Sequence, residues 1–237
     1  MYFVILLYLF SKISLNPVKS RLCEGPGSEK NYPKISYIKL TSFNQKASGF
    51  SKRFNLLQWW AFTQRNRNRQ DLLEKGVIVY ICDNHGVRYL YDTDGSSAIA
   101  ASEPLAVLVN MGTASASEIL TGALKDNKRA VLFGEPTYGK GKIQSVFQLS
   151  DGSGLAVTVA HYETPAHNDS NKVGVIPDHP LPNSFPKDDD SFCGCLQDPA
   201  SACYDEFYYL IYVLRNKYLI LVLNYMCLFL ILIFSGY

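Results

Sequence analysis

A serine and a lysine, set in two short stretches of small residues, are the side chains of this sequence best suited to covalent chemistry. Ser115 lies in "GTASASEI", residues 112–119, and Lys140 lies 25 positions later, between two glycines in "GEPTYGKGK". A lysine in a glycine turn could hold a phosphate group. It could instead take a proton from a nucleophile, if burial lowers its pKa from about 10.4.

The phosphate alternative rests on "GEPTYGK", residues 134–140, which matches the first seven positions of the nucleotide-binding pattern G-x-x-x-x-G-K-[ST]. Position 141 is glycine, so the hydroxyl that would bind magnesium is missing. A phosphate loop also opens a helix, whose N-terminal N–H groups bind the anion. Here "KIQSVFQL", residues 142–149, favours a strand. The sequence therefore disfavours nucleotide binding.

The surroundings of Ser115 support two interpretations. A serine between a buried strand and a helix lies near the positive end of the helix dipole, which stabilises developing negative charge. Ser115 and Glu118 also fit S-x-x-E, the capping box, in which the serine only caps the helix. On the local pattern alone, capping is the simpler interpretation.

Histidine is the usual partner of a catalytic serine, and the candidates are His85, His161, His167 and His179. The chain contains no G-x-S-x-G turn, the setting in which many catalytic serines lie. His161 falls within an expected strand and His179 precedes a proline, where structural or solvated histidines are common. Because lysine can replace histidine as the base, a serine–lysine pair remains an alternative.

The elements expected around the serine and the lysine form an α/β unit. "LAVLVN", residues 105–110, is typical of a buried parallel strand, and "AVLFG", residues 130–134, of the next one. Between them a helix is expected from about Ser115, because Ile119, Leu120, Ala123 and Leu124 fall on one face. This order indicates parallel pairing.

The remaining pattern is rich in strands. A strand is expected in "KISYIKL", residues 34–40, and a strand, turn and strand in "VIVYICDNHGVRYLYD", residues 77–92. Two further β-rich runs, "KIQSVFQL" and "LAVTVAHYETP", are separated by "SDGSG" and predict a hairpin. Residues 182–192 are expected to be a polar linker or terminal extension.

Composition excludes some functions. With 237 residues, 47% of them hydrophobic and 19% charged, the chain is long and apolar enough for a sizeable core. A net charge of +2 does not predict the broad positive surface with which proteins bind nucleic acid. None of the six cysteines forms a C-x-x-C pair, which disfavours a structural zinc site. A disulfide within the group Cys193, Cys195 and Cys203 is an option in an oxidising compartment.

Both ends of the chain are strongly apolar. "MYFVILLYLF" lacks the positive region of a signal peptide and the character of a transit peptide, and it is too short to span a membrane. The run from Tyr218 to Phe234 is at the lower limit for a membrane span. The two interpretations of these ends are a membrane anchor and translated non-coding sequence, and the shared bias toward residues with T- and A-rich codons favours the second.

A long stretch resembles the carboxyl-terminal processing peptidases, or tail-specific proteases: "PLAVLVNMGTASASEILTGALKDNKRAVLFGEPTYGKGKIQSVFQLSDGSGLAVTVAHYETP", residues 104–165. The segments "NPVKSRLCE", "ISYIKLTSFNQ", "KVGVIPDHPLP" and "FCGCLQDPASACY" look like the plant chloroplast form. The resemblance covers roughly residues 16–55 and 73–204. It implies a catalytic core at 16–204, flanked by an apolar N-terminus at 1–15 and an apolar tail at 205–237.

The resemblance implies a serine-type endopeptidase with a serine–lysine dyad. Ser115 would be the nucleophile, Lys140 the base and Gln144 the residue that positions the lysine amine, while the backbone N–H of Ala116 would stabilise the oxyanion. No cofactor or metal would be needed. The expected fold is a crotonase-like α/β sandwich with a β-rich C-terminal part, and the family's PDZ domain, expected before residue 16, would be absent.

The implied partner is the carboxyl-terminal tail of a protein substrate, with no nucleic acid. In the chloroplast form this is the precursor of a photosystem II reaction-centre subunit, cleaved in the thylakoid lumen. Membrane association would come only through the substrate or the apolar tail.

Residues 58–72 depart from the family, which has there the end of a strand, a Gly-Gly turn and a helix. If "QWW" is encoded by CAG-TGG-TGG, the same bases read one position later encode Ser-Gly-Gly. With suitable codons, "RNRNRQD" read one position later encodes Gly-Ile-Glu-Ile-Ala-Lys. We therefore hypothesise a local frame shift; genomic DNA that cannot encode the shifted residues would rule it out. The alternative function that follows is an inactive fragment or relative that at most binds protein tails.

Overall fold

The computed structural model describes residues 18–23, 35–40, 72–93, 105–181, 185–186, 189–198, 200 and 218–223. We number the elements of these ranges along the chain. The strands are β1 (Val18–Cys23), β2 (Ile35–Leu40), β3 (Gly76–Asp83), β4 (Gly86–Thr93), β5 (Leu105–Val109), β6 (Ala130–Gly134), β7 (Lys142–Gln148), β8 (Gly154–Glu163) and β9 (Tyr218–Leu223). The helices are α1 (Ala116–Asp126) and α2 (Asp189–Gln197).

Five of these strands form one sheet, in the order β1-β2-β9-β5-β6. β1 and β2 pair antiparallel, whereas β2, β9, β5 and β6 run parallel to one another. Every residue of β5 is buried, as expected for a central parallel strand covered on both faces. The expected parallel β5–α1–β6 unit is confirmed.

The other sheet is antiparallel, in the order β4-β3-β8-β7. It is built from the two expected hairpins, β3–β4 and β7–β8, which join through a short pairing of β3 with β8. This sheet supplies the β-rich part of the fold. The α/β architecture with added antiparallel strands is therefore confirmed.

Helix α1 contacts β6 of the parallel sheet and β3 of the antiparallel sheet. The four apolar residues expected on one face of α1 are all buried. All residues from Ala116 to Leu124 are buried as well, including Glu118 and Thr121, which have no exposed surface. A one-sided pattern thus underestimates the burial of α1, because the helix is covered by two sheets rather than one.

Two expectations near the C-terminal part need correction. Residues 182–192 are not a linker throughout, because α2 begins at Asp189. Cys193, on α2, forms a disulfide with Cys23 of β1 rather than with its sequence neighbours. The reason is packing: Cys23, Tyr37 and Phe192 lie in one buried cluster, which brings α2 against the parallel sheet. Cys195 is also disulfide-bonded, while Cys82 is a buried free thiol.

Part of the apolar tail, residues 218–223, forms β9 between β2 and β5. Its sequence, "YLILVL", has no alternation that would indicate a strand, and the sequence analysis did not predict one. The rest of the tail, the apolar N-terminus and most of residues 58–72 lie outside the described residues. Neither of the helices in the described ranges has the length and apolarity needed to cross a membrane.

Candidate active site

Ser115 lies in the sharp turn between β5 and α1, at the carboxyl end of a central parallel strand. The turn is held by Thr113, whose N–H donates to the Asn110 carbonyl at 2.8 Å and whose hydroxyl accepts the Asn110 N–H at 3.1 Å. Ser115 has φ 57° and ψ −117°, and only 3% of it is exposed. A non-glycine residue held at positive φ costs about 1–3 kcal/mol and is concentrated at functional sites.

The N-terminus of α1 begins directly after this serine. The first N–H groups of a helix have no carbonyl partner within the helix, and the backbone N–H of Ala116 is the first of them in α1. The positive end of the helix dipole adds to their attraction for an anion. Ala116 therefore lies where an N–H could stabilise negative charge developing next to Ser115.

Lys140 lies in the loop between β6 and β7, and it precedes a strand, not a helix. The phosphate-loop geometry is therefore absent at this lysine. Its two glycine neighbours allow close backbone packing: the Gly139 carbonyl accepts the Lys172 N–H at 2.7 Å. Gly139 has φ 84°, and a Cβ there would lie 2.8 Å from the Lys172 backbone. Gly141 packs in the same way, because a Cβ there would lie 2.7 Å from the Asn171 nitrogen.

The buried carboxylate of Glu118, on α1, joins the serine turn to the lysine loop. Its Oε1 accepts the Thr137 hydroxyl and the Gly139 N–H, both at 2.6 Å. Its Oε2 accepts the Ser115 N–H at 2.7 Å and the Lys140 N–H at 2.9 Å. An ionised carboxylate can accept all of these bonds because it has only acceptor sites.

A shared oxygen limits how far apart the two candidate catalytic residues can be. The Ser115 and Lys140 nitrogens both contact Glu118 Oε2, so their separation cannot exceed the sum of the 2.7 Å and 2.9 Å bonds. A further bond, from the Tyr138 N–H to the Thr113 carbonyl at 2.9 Å, connects the same two loops. The structure therefore brings the backbones of Ser115, Ala116 and Lys140 together. The capping-box pattern had identified Glu118 only as a partner of the helix N-terminus.

The environment of Lys140 makes its amine easier to deprotonate than that of a fully exposed lysine. Partial burial lowers the pKa of the Lys140 amine below its usual 10.5, because desolvation disfavours the charged form, and the nearby Glu118 carboxylate opposes this shift. A general base must be unprotonated to accept a proton. The lowered pKa therefore suits proton abstraction by this lysine.

Tyr162, on β8, also contacts the lysine loop. Its hydroxyl donates to the Lys140 carbonyl and lies 3.2 Å from Glu118 Oε2. Burial and the nearby Glu118 charge raise the pKa of the Tyr162 hydroxyl well above 10, so the group keeps its proton and remains a donor. The sequence analysis did not identify Tyr162. Side chains alternate along a strand, so Tyr162 lies on the opposite face of β8 from His161 and Glu163, and this alternation could have indicated that it points toward the core.

Gln144 lies on β7, four residues beyond Lys140, and is exposed. A register shift between Ile143 and Gln144 interrupts the pairing of β7 with β8 at this point. Such bulges redirect side chains and are common next to active sites. The positioning role of Gln144 stays a prediction.

In the described residues, three histidines contact side chains other than those of Ser115 and Lys140. His161 and His167 both lie against Glu163, and the ring of His179 stacks on Phe133 at 5.2 Å. His85 lies in the turn between β3 and β4. Among the described contacts, it is the backbone of Lys140, and not one of these histidines, that lies close to the backbone of Ser115.

Several known peptidases are similar to this chain in sequence. The family model "Peptidase family S41" matches residues 61–181. Carboxyl-terminal-processing peptidase 2, chloroplastic, from Arabidopsis thaliana is 66% identical over 209 residues, covering 81% of this chain and 41% of the relative. C-terminal processing peptidase, chloroplastic, from Tetradesmus obliquus is 39% identical over 221 residues, covering 80% of this chain and 46% of the relative. The chain thus spans less than half the length of these relatives.

Solved structures show the same similarity. A photosystem II D1 C-terminal processing protease superposes with a TM-score of 0.65 at 38% identity, covering 81% of this chain and 55% of that one. A putative S41 protease from Bacteroides fragilis superposes with a TM-score of 0.52 at 14% identity, covering 85% of this chain and 59% of that one. Because its sequence identity is low, the second match supports the fold alone.

Proposed function

The chain belongs to peptidase family S41, and on that premise we propose that it is a serine-type endopeptidase acting on carboxyl-terminal tails of proteins. Ser115 is the nucleophile and Lys140 the general base. The observation that supports this most is the convergence of the Ser115 and Lys140 backbones on Glu118 Oε2. If Glu118 served only to cap the helix, the backbone of the lysine loop would not need to bind the same carboxylate.

The proposed reaction has two halves, both using the same groups. Neutral Lys140 takes the hydroxyl proton as the oxygen of Ser115 attacks the peptide carbonyl, and the Ala116 N–H stabilises the oxyanion. The Lys140 ammonium then gives this proton to the departing amine, which leaves an ester on Ser115. Water attacks the ester with Lys140 again as base, releasing the new carboxylate and restoring the serine.

The remaining groups hold the lysine in place. Glu118 and Tyr162 fix the backbone of Lys140 from both sides, at its N–H and its carbonyl. Gln144 is proposed to hydrogen-bond the amine and direct it toward the serine. Each step uses only these protein groups and water, so the reaction needs no metal or cofactor.

For the substrate and location we propose those suggested by the names of the relatives. The solved relative is a photosystem II D1 C-terminal processing protease, and both curated relatives described above are chloroplastic. The proposed substrate is accordingly the carboxyl-terminal tail of the D1 precursor, and the proposed location is the thylakoid lumen of the chloroplast. The disulfide between Cys23 and Cys193 fits an oxidising compartment.

The proposal is tested with a fluorophosphonate probe and a D1 tail peptide on a version of the chain with the shifted frame of residues 58–72 restored, beside the chain as written, which we expect to be inactive or nearly so. In the restored version we expect the probe to label Ser115, identified by mass spectrometry, and Ser115→Ala to abolish both labelling and cleavage. A tail peptide with an amidated carboxyl terminus should be cleaved more slowly than the free acid. Tail binding by the restored version without labelling or cleavage would refute the peptidase and support the inactive tail-binding alternative.

A further inference from the structure

A second group of reactive side chains lies on the opposite face of the antiparallel sheet from α1. β3 and β8 pair in the register Tyr80↔Glu163, Ile81↔Tyr162 and Cys82↔His161. Ile81 and Tyr162 pack with the core cluster that contains α1 residues. Because side chains alternate along a strand, the other residues of these pairs lie on the far face. Cys82, His161 and Glu163 are thus adjacent but separate from the proposed catalytic groups.

Three donor atoms converge there. The Cys82 sulfur, one ring nitrogen of His161 and one carboxylate oxygen of Glu163 all lie within 4.8 Å of one another. His161 Nε2 lies 3.4 Å from Glu163 Oε1. Cys82 is only 3% exposed, and the His161 and Glu163 side chains are 24% and 22% exposed. The sulfur is therefore buried, while the His161 and Glu163 side chains are partly exposed to solvent.

His167 holds the carboxylate from its other side. Its Nδ1 lies 3.0 Å from Glu163 Oε2, and its ring stacks on Tyr80 with centroids 4.2 Å apart. The two oxygens of Glu163 are thus divided between two histidines. Partners of this kind orient metal-binding carboxylates and typically contribute about 10–100-fold to metal affinity.

We propose that Cys82, His161 and Glu163 bind a Zn²⁺ ion, with water in the fourth position. Sulfur, imidazole and carboxylate together are a donor set that suits zinc, whereas magnesium and calcium prefer oxygen alone. Zinc bonds of about 2.0–2.3 Å require the donor atoms to lie roughly 3.3–3.6 Å apart. Side-chain rotations on two paired strands can close the remaining distance.

The site would strengthen the weakest junction of the antiparallel sheet. β3 and β8 are paired through only three residue pairs, and the ion would bridge the strands at this junction. Tyr162, between two of the ligands in sequence, donates to the Lys140 carbonyl on the other face. A zinc ion there would stabilise the strand that supports the lysine loop. The binding claim itself does not depend on the proposed peptidase activity.

The sequence pattern did not indicate this site because its ligands do not form a local motif. Cys82 lies 79 positions before His161, and C-x-x-C spacing is absent. The competing explanation is a metal-free network, since the Cys82 thiol is hydrogen-bonded to Glu163. The two explanations differ in whether the sulfur can bind a metal ion.

Cobalt(II) is the probe, because its bond to a thiolate gives a charge-transfer absorption and tetrahedral coordination gives visible bands. The full chain is treated with a chelator without thiol reductants, which keeps the disulfides, and titrated with Co²⁺. We expect both bands to saturate at one equivalent and to disappear on addition of Zn²⁺. Cys82→Ser should abolish the charge-transfer band, and His167→Ala should weaken binding by about 10–100-fold. His85→Ala, at the exposed β3–β4 turn, is the matched control and should bind like the unaltered chain.

A second measurement on the unaltered chain covers the case in which Cys82→Ser does not fold. The alkylation rate of Cys82, followed by mass spectrometry of its peptide, should fall at least tenfold when Zn²⁺ is present. The proposal would be overturned if the unaltered chain gave no charge-transfer band. It would also be overturned if the band persisted in a folded Cys82→Ser variant, or if Zn²⁺ left the alkylation rate of Cys82 unchanged.

Discussion

The backbone N–H groups of Ser115 and Lys140 donate to the same oxygen atom of Glu118, at 2.7 Å and 2.9 Å. The two residues are 25 positions apart in the chain and lie in different loops. A buried carboxylate with this many donors fixes both backbones, so that only the side chains need to move during a reaction. The relative position of Ser115 and Lys140 thus depends on a third residue, Glu118.

We expect Ser115→Ala and Ser117→Ala to have very different effects. Ser115→Ala should lower kcat on a tail peptide by on the order of 10³-fold or more, because the nucleophile is lost. Ser117 lies inside α1, where its carbonyl accepts the Thr121 hydroxyl at 2.6 Å, and its loss should leave most of the activity. Steady-state kinetics on purified variants decides this, and a reversed order of the two effects would refute the nucleophile assignment.

Lys140→Arg should be inactive although it conserves the charge. Arginine stays protonated in proteins and cannot accept a proton, so kcat should fall by about 10²–10⁴-fold. Binding of the tail peptide to Lys140→Arg, measured by fluorescence anisotropy, should persist. Lys142→Arg, two residues further along on an exposed position of β7, is the matched control and should retain activity. Substantial turnover by Lys140→Arg would exclude the base role.

Local patterns predicted the elements whose contacts are close in sequence. The β3–β4 and β7–β8 hairpins and the β5–α1–β6 unit follow from alternation, helical spacing and turn residues. The S-x-x-E pattern identified the contact between Ser115 and Glu118, three positions apart. It could not identify Thr137 or Tyr162 as further partners, because these are 19 and 44 positions away and are brought in only by folding. The same limit explains why the disulfide between Cys23 and Cys193, separated by 170 positions, was not predicted.

Glu118→Gln should damage both stability and activity. The amide is nearly the same size, but its NH₂ group cannot accept the N–H groups that the carboxylate accepts, so buried donors lose their partner. Each such loss costs about 1–3 kcal/mol, and we expect the free energy of unfolding to fall by about 2–4 kcal/mol. Urea unfolding measures this change, and kcat should fall because the lysine loop is no longer held. Glu135→Gln, at an exposed position of the same loop, should change neither quantity; an equal effect of both variants would contradict the positioning role.

The lowered pKa of Lys140 predicts the direction of two pH dependences. Activity should rise with pH through the folded-state pKa of this lysine, which lies below 10.5, because only the neutral amine accepts a proton. Stability should also rise with pH between the folded-state pKa and 10.5, because in this window the unfolded chain binds the extra proton. Lys140→Met removes this titration, so its stability should be less pH-dependent in that window. Identical pH–stability slopes for the two proteins, by urea unfolding, would contradict the assignment.

Removal of residues 218–237 should disrupt the parallel sheet of the chain as written. β9 pairs with β2 from Ile35↔Tyr218 to Leu40↔Leu223 and with β5 from Leu105↔Leu219 to Leu108↔Val222. Without it, two strands lose backbone hydrogen bonds on their facing edges, and exposed edges of this kind promote aggregation. Amide hydrogen exchange in β5, followed by mass spectrometry, should therefore accelerate. A matched control removes residues 224–237 alone, which leaves the sequence of β9 in place. Unchanged protection of β5 in the truncated chain as written would show that β9 does not hold the sheet together.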